Sequence, residues 1–363
     1  MLAIAGLVAA VTAQGDGTTY NPAPISSRLS DTELAGQRVI YSYQGLEPPA
    51  SLLSAIRAGK AGGVIFFSDN ISSEAQLKSV AGELQKAAAH SPVKLPLLMM
   101  TDQEGGQVRR LPGAPIYSEK QIGESADPAS AARKAGRGAG LNLRKAGLDV
   151  NLAPVLDVYR QAGDFDDQYG RSYSSNPHKV AALGGDFITK QQQAGVAATA
   201  KHFPGLGAAT RSQDTDVEPV TLHLTTRQIR GDDELPYRTA IKAHVDLVMV
   251  SWARYPALDS KYPAGLSSKV IQGELRRRLG FKGVTITDAL EAGALKGFGG
   301  TSERAFLAAR AGMDLILCAS QQPSQGAGAV QALAKAISTH HLSRSTFLSS
   351  VNRVLTLRHS LKG

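Results

Sequence analysis

Eight short apolar runs punctuate the chain: 39–41, 63–67, 97–100, 149–152, 197–200, 247–250, 284–287 and 315–317. They are rich in Val, Ile, Leu and Phe and do not alternate with polar residues, the pattern of strands buried on both faces. Between them run segments of helical periodicity, predicted over 73–88, 129–146, 177–195, 226–244, 267–279 and 301–311. A last helix over 343–358 puts Phe347, Val351, Val354 and Leu355 on one stripe. Gly62, Gly147, Gly195, Gly280 and Gly312 precede strands, where helices end on a left-handed residue. Strand–helix alternation repeated eight times predicts an α/β protein, a single (β/α)8 barrel of the TIM type over residues 31–363. A doubly wound open sheet is the alternative. The barrel is preferred because polar residues follow many of the runs: Asp69-Asn70, Asp102-Gln103-Glu104, Asn151, Lys201-His202, Ser251-Trp252 and Asp288. Barrels gather their sites from the carboxyl ends of several strands, whereas open sheets use one switch point.

Composition changes this picture little. The 363 residues are 42% hydrophobic and 20% charged, enough for a large core. The net charge of +9 is scattered, and aromatic residues are only 6%, so no basic run interleaved with aromatics marks a nucleic-acid site. The single cysteine, Cys318, excludes a disulfide framework and reads as a small buried hydrophobe. The opening residues MLAIAGLVAAVTAQG are too short to span a bilayer and resemble the apolar core of a truncated secretory signal. Residues 15–30, rich in Gly, Thr, Pro and Ser, read as a linker or extended arm. The expectation is therefore a secreted or cell-wall-associated protein without an integral membrane segment. The cluster Gly136-Arg137-Gly138-Ala139-Gly140 lies in a helical segment and follows no strand, so it reads as close helix packing and not as a dinucleotide loop.

Three stretches carry candidate chemistry. Asp288 directly follows Val284-Thr285-Ile286-Thr287; it is either a helix N-cap or a nucleophile or base at the barrel mouth. The stretch from Thr101 to Arg110 offers Asp102 for sugar hydroxyls and Arg110 for an acetamido or carboxyl oxygen, with Gly105-Gly106 allowing a sharp turn. Its alternative is a salt-bridged structural loop. The third stretch, Ala198 to Asp216, ends a strand in Lys201-His202, breaks at Pro204-Gly205, and continues to Asp214-Thr215-Asp216.

Lys201-His202-Phe203-Pro204-Gly205-Leu206-Gly207 resembles the signature of family 3 glycoside hydrolases, in the bacterial β-N-acetylglucosaminidase (β-N-acetylhexosaminidase) branch. Ordered matches around it are Asp102-Gln103-Glu104-Gly105-Gly106, residues 151–158, Tyr169-Gly170-Arg171-Ser172-Tyr173 and residues 279–288. The resemblance implies a single-domain barrel with Asp288 as nucleophile and with Asp102, Arg110, Arg171, Lys201 and His202 binding the sugar. It implies no metal or organic cofactor and a carbohydrate partner. In that branch an Asp-Ser-His or Asp-Thr-His triplet carries the acid/base His, oriented by the Asp. Here the triplet is Asp214-Thr215-Asp216, and none of the other histidines obviously replaces the missing one. Asp216 is then the candidate acid, with Asp214 raising its pKa by like-charge repulsion. Trp252 stands where the family often has His and is read as a sugar-stacking wall. Two functions follow as expectations. One is a retaining hydrolase of β-linked N-acetylhexosamine in peptidoglycan fragments or chitin-like sugars. The other is a carbohydrate-binding barrel that lost turnover.

Overall fold

A computed structural model describes residues 20–361. The barrel strands are β1 Val39–Tyr41, β2 Gly63–Ile65, β3 Leu98–Thr101, β4 Val150–Asn151, β5 Ala197–Phe203, β6 Leu247–Val250, β7 Val284–Thr287 and β8 Ile316–Leu317. All are parallel, each paired with its sequence neighbour, and β8 pairs with β1 through Val39 and Ile316. A bridge between Ile286 and Leu315, with Thr287 N donating to Leu315 O at 3.1 Å, joins β7 to β8 and closes the cylinder. The open-sheet alternative is thereby excluded.

The two-residue period of a strand divides each apolar run between two cores. Ile40, Ile65, Leu98, Met100, Val150, Leu152, Leu247, Met249, Ile286 and Leu317 fill the barrel interior, with Val354 and Leu357 of the last helix packed against its lower layer. Val39, Tyr41, Val64, Met99, Ala198, Ala200 and Val248 face outward into the helical layer. Every strand residue is buried, which is why the runs show no polar alternation.

Most predicted helices are present: Glu74–Ala89 capped by Ser73, Pro128–Lys145, Pro177–Gln193, Thr301–Ala311 and Arg344–Ser360. The segment 226–244 is not one helix. It is Thr226–Gln228, a wider π turn Ile229–Asp233, and Leu235–Lys242. Pro236 has no N–H to continue the ladder, and the chain bridges with Glu234 N donating to Ile229 O at 2.8 Å. The segment 267–279 winds as a π-helix, Lys269–Arg278. Helix Pro323–Ser338 carries two glycines in its first turns, which hid it from the periodicity. Gly326 lies flat on the Tyr41 ring, so tertiary packing overrides its poor propensity. The linker expectation is corrected for its described part: Asn21 Oδ1 accepts from Ala23 N, starting a helical turn, Ala23–Ser26, and Tyr20 stacks on His359 at 3.8 Å. The signal-like residues 1–13 lie outside the described residues. Among the described residues no helix is long and apolar enough to cross a membrane.

Gly147, Gly195, Gly280 and Gly312 have φ between 78° and 102°, as expected of helix ends. Gly62 does not; it is glycine because a Cβ would overlap the Gln37 carbonyl. Gly136 lies within helix Pro128–Lys145, where a Cβ would overlap the backbone of Phe187 in the neighbouring helix. Gly82, in helix Glu74–Ala89, has nothing within 4 Å of that position. The same substitution therefore has opposite signs at the two sites. Gly136→Ala is expected to cost about 1–3 kcal/mol by overpacking, and Gly82→Ala to gain about 0.5–1 kcal/mol. Chemical unfolding of both variants tests this, and equal signs would contradict the packing argument.

Candidate active site

A cavity of about 230 Å³ opens at the carboxyl ends of the strands. Its floor is the top layer of the barrel interior, Ile65, Leu152, Met249 and Leu317. Its polar wall comes from the segments after β3, β4, β5 and β7. Lys201 ends an inward-facing row on β5 and reaches Asp102 Oδ1 at 2.8 Å and Glu104 Oε1 at 2.7 Å. Arg171 grips Glu104 with Nε at 2.9 Å and Nη2 at 3.0 Å, and Asp166 with Nη1 at 2.9 Å. His202 Nδ1 lies 2.7 Å from Asp157 Oδ2, which leaves Nε2 as its ring nitrogen for a ligand. Asp157 also accepts from Leu206 N at 2.5 Å.

Burial in this cluster is decided by charge pairing. Burial alone would raise Glu104, but Arg171 and then Lys201 reverse this and hold it at about 2. Burial disfavours the Lys201 ammonium, yet Asp102 and Glu104 keep it charged, with its pKa raised. The same contest ends with His202 raised, because the Asp157 carboxylate outweighs desolvation. Asp166 goes the other way. Burial lifts it to about 7, against the Arg171 guanidinium and with help from the Asp157 charge. Glu119, buried beside the cluster, is pushed well above the carboxylate range by burial and by Glu104. Lys201 and Arg171, with His202 favoured in its charged form, thus face Asp102, Glu104 and Asp157, while burial favours the protonated forms of Asp166 and Glu119.

Asp288 and Asp216 both line the cavity. Asp288 is half-buried at the end of β7, where its Oδ1 accepts from Ala289 N at 2.7 Å. Asp216 is at the solvent rim, in the loop after β5. Burial by surrounding protein, then the charges of Asp288 and Asp214, raise its carboxyl to about 6. That loop is tied to the segment after β7: Gly293 N donates to Asp216 O at 2.7 Å and Ala294 N to Thr215 O at 2.9 Å. Lys296 Nζ adds a bond to Val217 O at 3.0 Å. Only glycine permits this contact, since a Cβ at residue 293 would overlap the Val217 carbonyl.

The structure brings Asp102, Arg110, Arg171, Lys201, His202, Asp216 and Asp288 around one cavity. Two candidates are elsewhere. Asp214 does not line it; its Oδ1 accepts from Asp216 N at 2.8 Å and shapes the turn that presents Asp216. Trp252 does not line it either. The indole is 1% exposed, and its Nε1 donates to Ala289 O at 2.9 Å. It braces the cavity wall from behind, because Gly265 leaves room for the ring outside the barrel.

Residues 38–357 match the N-terminal domain of glycosyl hydrolase family 3. The chain belongs to that family. It is 47% identical over 329 residues to an uncharacterized secreted glycosyl hydrolase of Arthroderma benhamiae, covering 90% of this chain and 93% of that one. It is 32% identical to a β-hexosaminidase of Stenotrophomonas maltophilia, over 81% and 87% of the two chains. A family 3 β-N-acetylglucosaminidase from a Paenibacillus species superimposes with a TM-score of 0.86 at 35% identity. That alignment covers 92% of this chain and 64% of the Paenibacillus chain. The family 3 barrel described here is accordingly a β-hexosaminidase-like glycosidase, which hydrolyses O-glycosyl bonds of a carbohydrate substrate.

Sequence reasoning passed over several members of this family 3 site: Glu104, Asp157, Asp166 and Glu119. Glu104 and Asp157 lay inside motifs already singled out, and their signal was a carboxylate a few residues beyond a buried strand. Asp166 and Glu119 sit in short helical turns with no periodic signature. The protonated state of Asp166 has a measurable consequence. Its carboxyl titrates near 3.8 in the unfolded chain and at about 7 in the fold, so the stability it contributes is full below pH 4 and is lost as pH rises through 7. Asp166→Asn keeps a neutral hydrogen-bonding group there. The melting temperature of wild type is expected to fall relative to that variant between pH 5 and 8.5, and a constant difference across that range would contradict a protonated Asp166.

Proposed function

We propose that the protein is a retaining glycosidase that releases terminal β-linked N-acetylhexosamine, with Asp288 as nucleophile and Asp216 as proton donor. The observation that carries the reading is the pairing of these two carboxyls on one small cavity, with the charge of Asp288 helping to keep Asp216 protonated. Retaining hydrolysis needs those two roles: a carboxylate that attacks the anomeric carbon and an acid that protonates the leaving oxygen. Asp288 forms the glycosyl-enzyme as Asp216 gives its proton to the departing alcohol. Asp216, now ionised, then takes a proton from the water that releases the sugar from Asp288.

The rest of the wall fits a sugar ring. Asp102 binds Lys201 through one oxygen and keeps the other for a hydroxyl pair. His202 Nε2 and Lys201 lie beside it. Arg110 faces the cavity with a buried Nε that has no partner among the described residues, a donor for an acetamido carbonyl. Asp102, Lys201 and His202 are held by ion pairs before substrate arrives, so bonds that tighten as the ring flattens lower the barrier without reorganisation. A volume of about 230 Å³ is below the ~300–1,000 Å³ of sites that enclose drug-sized ligands, which suits one sugar ring and a terminal cleavage point. The β-hexosaminidase and β-N-acetylglucosaminidase relatives support the N-acetylhexosamine assignment, in peptidoglycan fragments or chitin-like sugars. The signal-like opening residues, together with the secreted relative, support export.

Two experiments test the assignment on aryl β-N-acetylglucosaminides. Asp288→Ala is expected to lose about 10⁴-fold or more in kcat, and a 2-fluoro sugar to label the peptide that contains Asp288. Equal background rates in wild type and variant, or a label elsewhere, would remove Asp288 from its role. Asp216→Ala is expected to lose roughly 10²–10⁴-fold on poor leaving groups and little on good ones. With a poor leaving group, wild-type kcat/KM should fall as pH rises through about 6, because Asp216 must be protonated to act. That limb should vanish in the variant; its survival would show that another group donates the proton.

A further inference from the structure

At the amino end of the barrel, buried cations outnumber the carboxylate they share. Asp314, two residues before β8, is buried and takes charge from three arginines. Arg276 Nη2 reaches its Oδ2 at 2.5 Å, and Arg353 of the last helix brings Nη2 to its Oδ1 at 2.7 Å. Arg38, itself buried, donates Nε to the main-chain oxygen of Asp314 at 3.0 Å and lies over the Phe347 ring at 4.0 Å. Burial lowers Arg38 to about 10; Asp314 opposes the shift and Arg353 adds to it. Arg276 Nε is a buried donor with no partner among the described residues. Buried positive charge in excess of its partners is costly, and an anion brought to this end would relieve it.

A cleft of about 620 Å³ opens beside this cluster, between the last helix and the segments that lead into β6 and β7. Arg353 lines it. The Asp314 carboxylate occupies Nε and Nη2 of that guanidinium, which leaves its Nη1 edge as a donor for a ligand. Lys282, an exposed residue ahead of β7, lines the same cleft. Two acceptors complete the lining that matters here. Asp246, directly before β6, has a carboxyl that burial alone lifts to about 6. Asn352 has a buried Oδ1 with no partner among the described residues.

The two pairs ask for different groups on one molecule. A guanidinium edge and an ammonium recognise an oxyanion, phosphate above all. A carboxyl and an amide oxygen accept from hydroxyls. The volume falls within the ~300–1,000 Å³ of small-molecule sites, more than an inorganic anion fills. We infer that this cleft binds a phosphate monoester of a small polyol, a sugar phosphate, with its phosphate on Arg353 and Lys282 and its hydroxyls on Asp246 and Asn352. The site lies at the end of the barrel opposite Asp288 and stands independently of the role assigned to that residue.

Calorimetric titration of the full chain with glucose 6-phosphate and with inorganic phosphate tests this. Glucose 6-phosphate is expected to bind at least about 10-fold more tightly than inorganic phosphate. Lys282→Glu should weaken it at least about 10-fold further, the loss of one charge-assisted contact. The melting temperature of the ligand-free Lys282→Glu variant should equal that of wild type, which shows that the exposed substitution leaves the fold intact. Asp246→Ala with Asn352→Ala should remove the preference for the sugar phosphate and keep binding of inorganic phosphate. Asp288→Asn should bind glucose 6-phosphate as wild type does. Absence of binding, equal affinity for the two phosphates in wild type, or undiminished affinity in Lys282→Glu would overturn the site. Weaker binding in Asp288→Asn would place the ligand in the cavity at the carboxyl end and overturn it as well.

Discussion

Charge neutrality beneath the cavity is the condition on which the site depends. Lys201, Arg171 and His202 are buried, and a buried charge without a partner is among the costliest features a fold can carry. Each is answered by a carboxylate from another segment: Lys201 by Asp102 and Glu104 after β3, Arg171 by Glu104, and His202 by Asp157 after β4. The pairs therefore join the loops as well as neutralising one another. Removing one partner would strand a charge and loosen two loops together. Asp166 and Glu119 complete the balance by keeping their protons, so acids outnumber bases without a net buried charge.

The barrel makes this cluster affordable. Its interior is closed by aliphatic side chains up to the layer of Ile65, Leu152, Met249 and Leu317, so water reaches the charged groups only from above. β5 is built of Ala and Thr below Lys201, and these small residues leave the lysine stem space to rise along the strand. The glycosidase chemistry of the family thus occupies the boundary between a dry core and an open rim.

The strands were legible in the sequence because burial on both faces leaves an unbroken apolar run. The catalytic candidates were legible because they stand at strand ends, where Asp288, Lys201 and His202 have little other reason to sit. What was not legible was the partner of each charge. A carboxylate after a strand looks the same whether it faces a ligand or a lysine from another loop, so Glu104 and Asp157 passed as motif residues. Trp252 was misplaced for a related reason. Sequence gives its position after β6 but not that the space beside Gly265, behind Ala289, is large enough to take an indole. The helix from Pro323 was hidden by Gly326 and Gly328, whose poor propensity is overcome only by packing against distant residues such as Tyr41.

The bonds between residues 215–216 and 293–294 set a spacing in main chain. They make the segment bearing Asp216 and the one following Asp288 a single ladder across the mouth, so their separation does not depend on the side chain at either position. A main-chain gauge of this kind separates two things that usually change together in an active site: where a group stands, and what group it is. A different side chain at residue 216 would then leave the opposite carboxyl in register. Under the proposed role of Asp216, such a change would tune the pH at which the site works, with the architecture that holds it left unchanged.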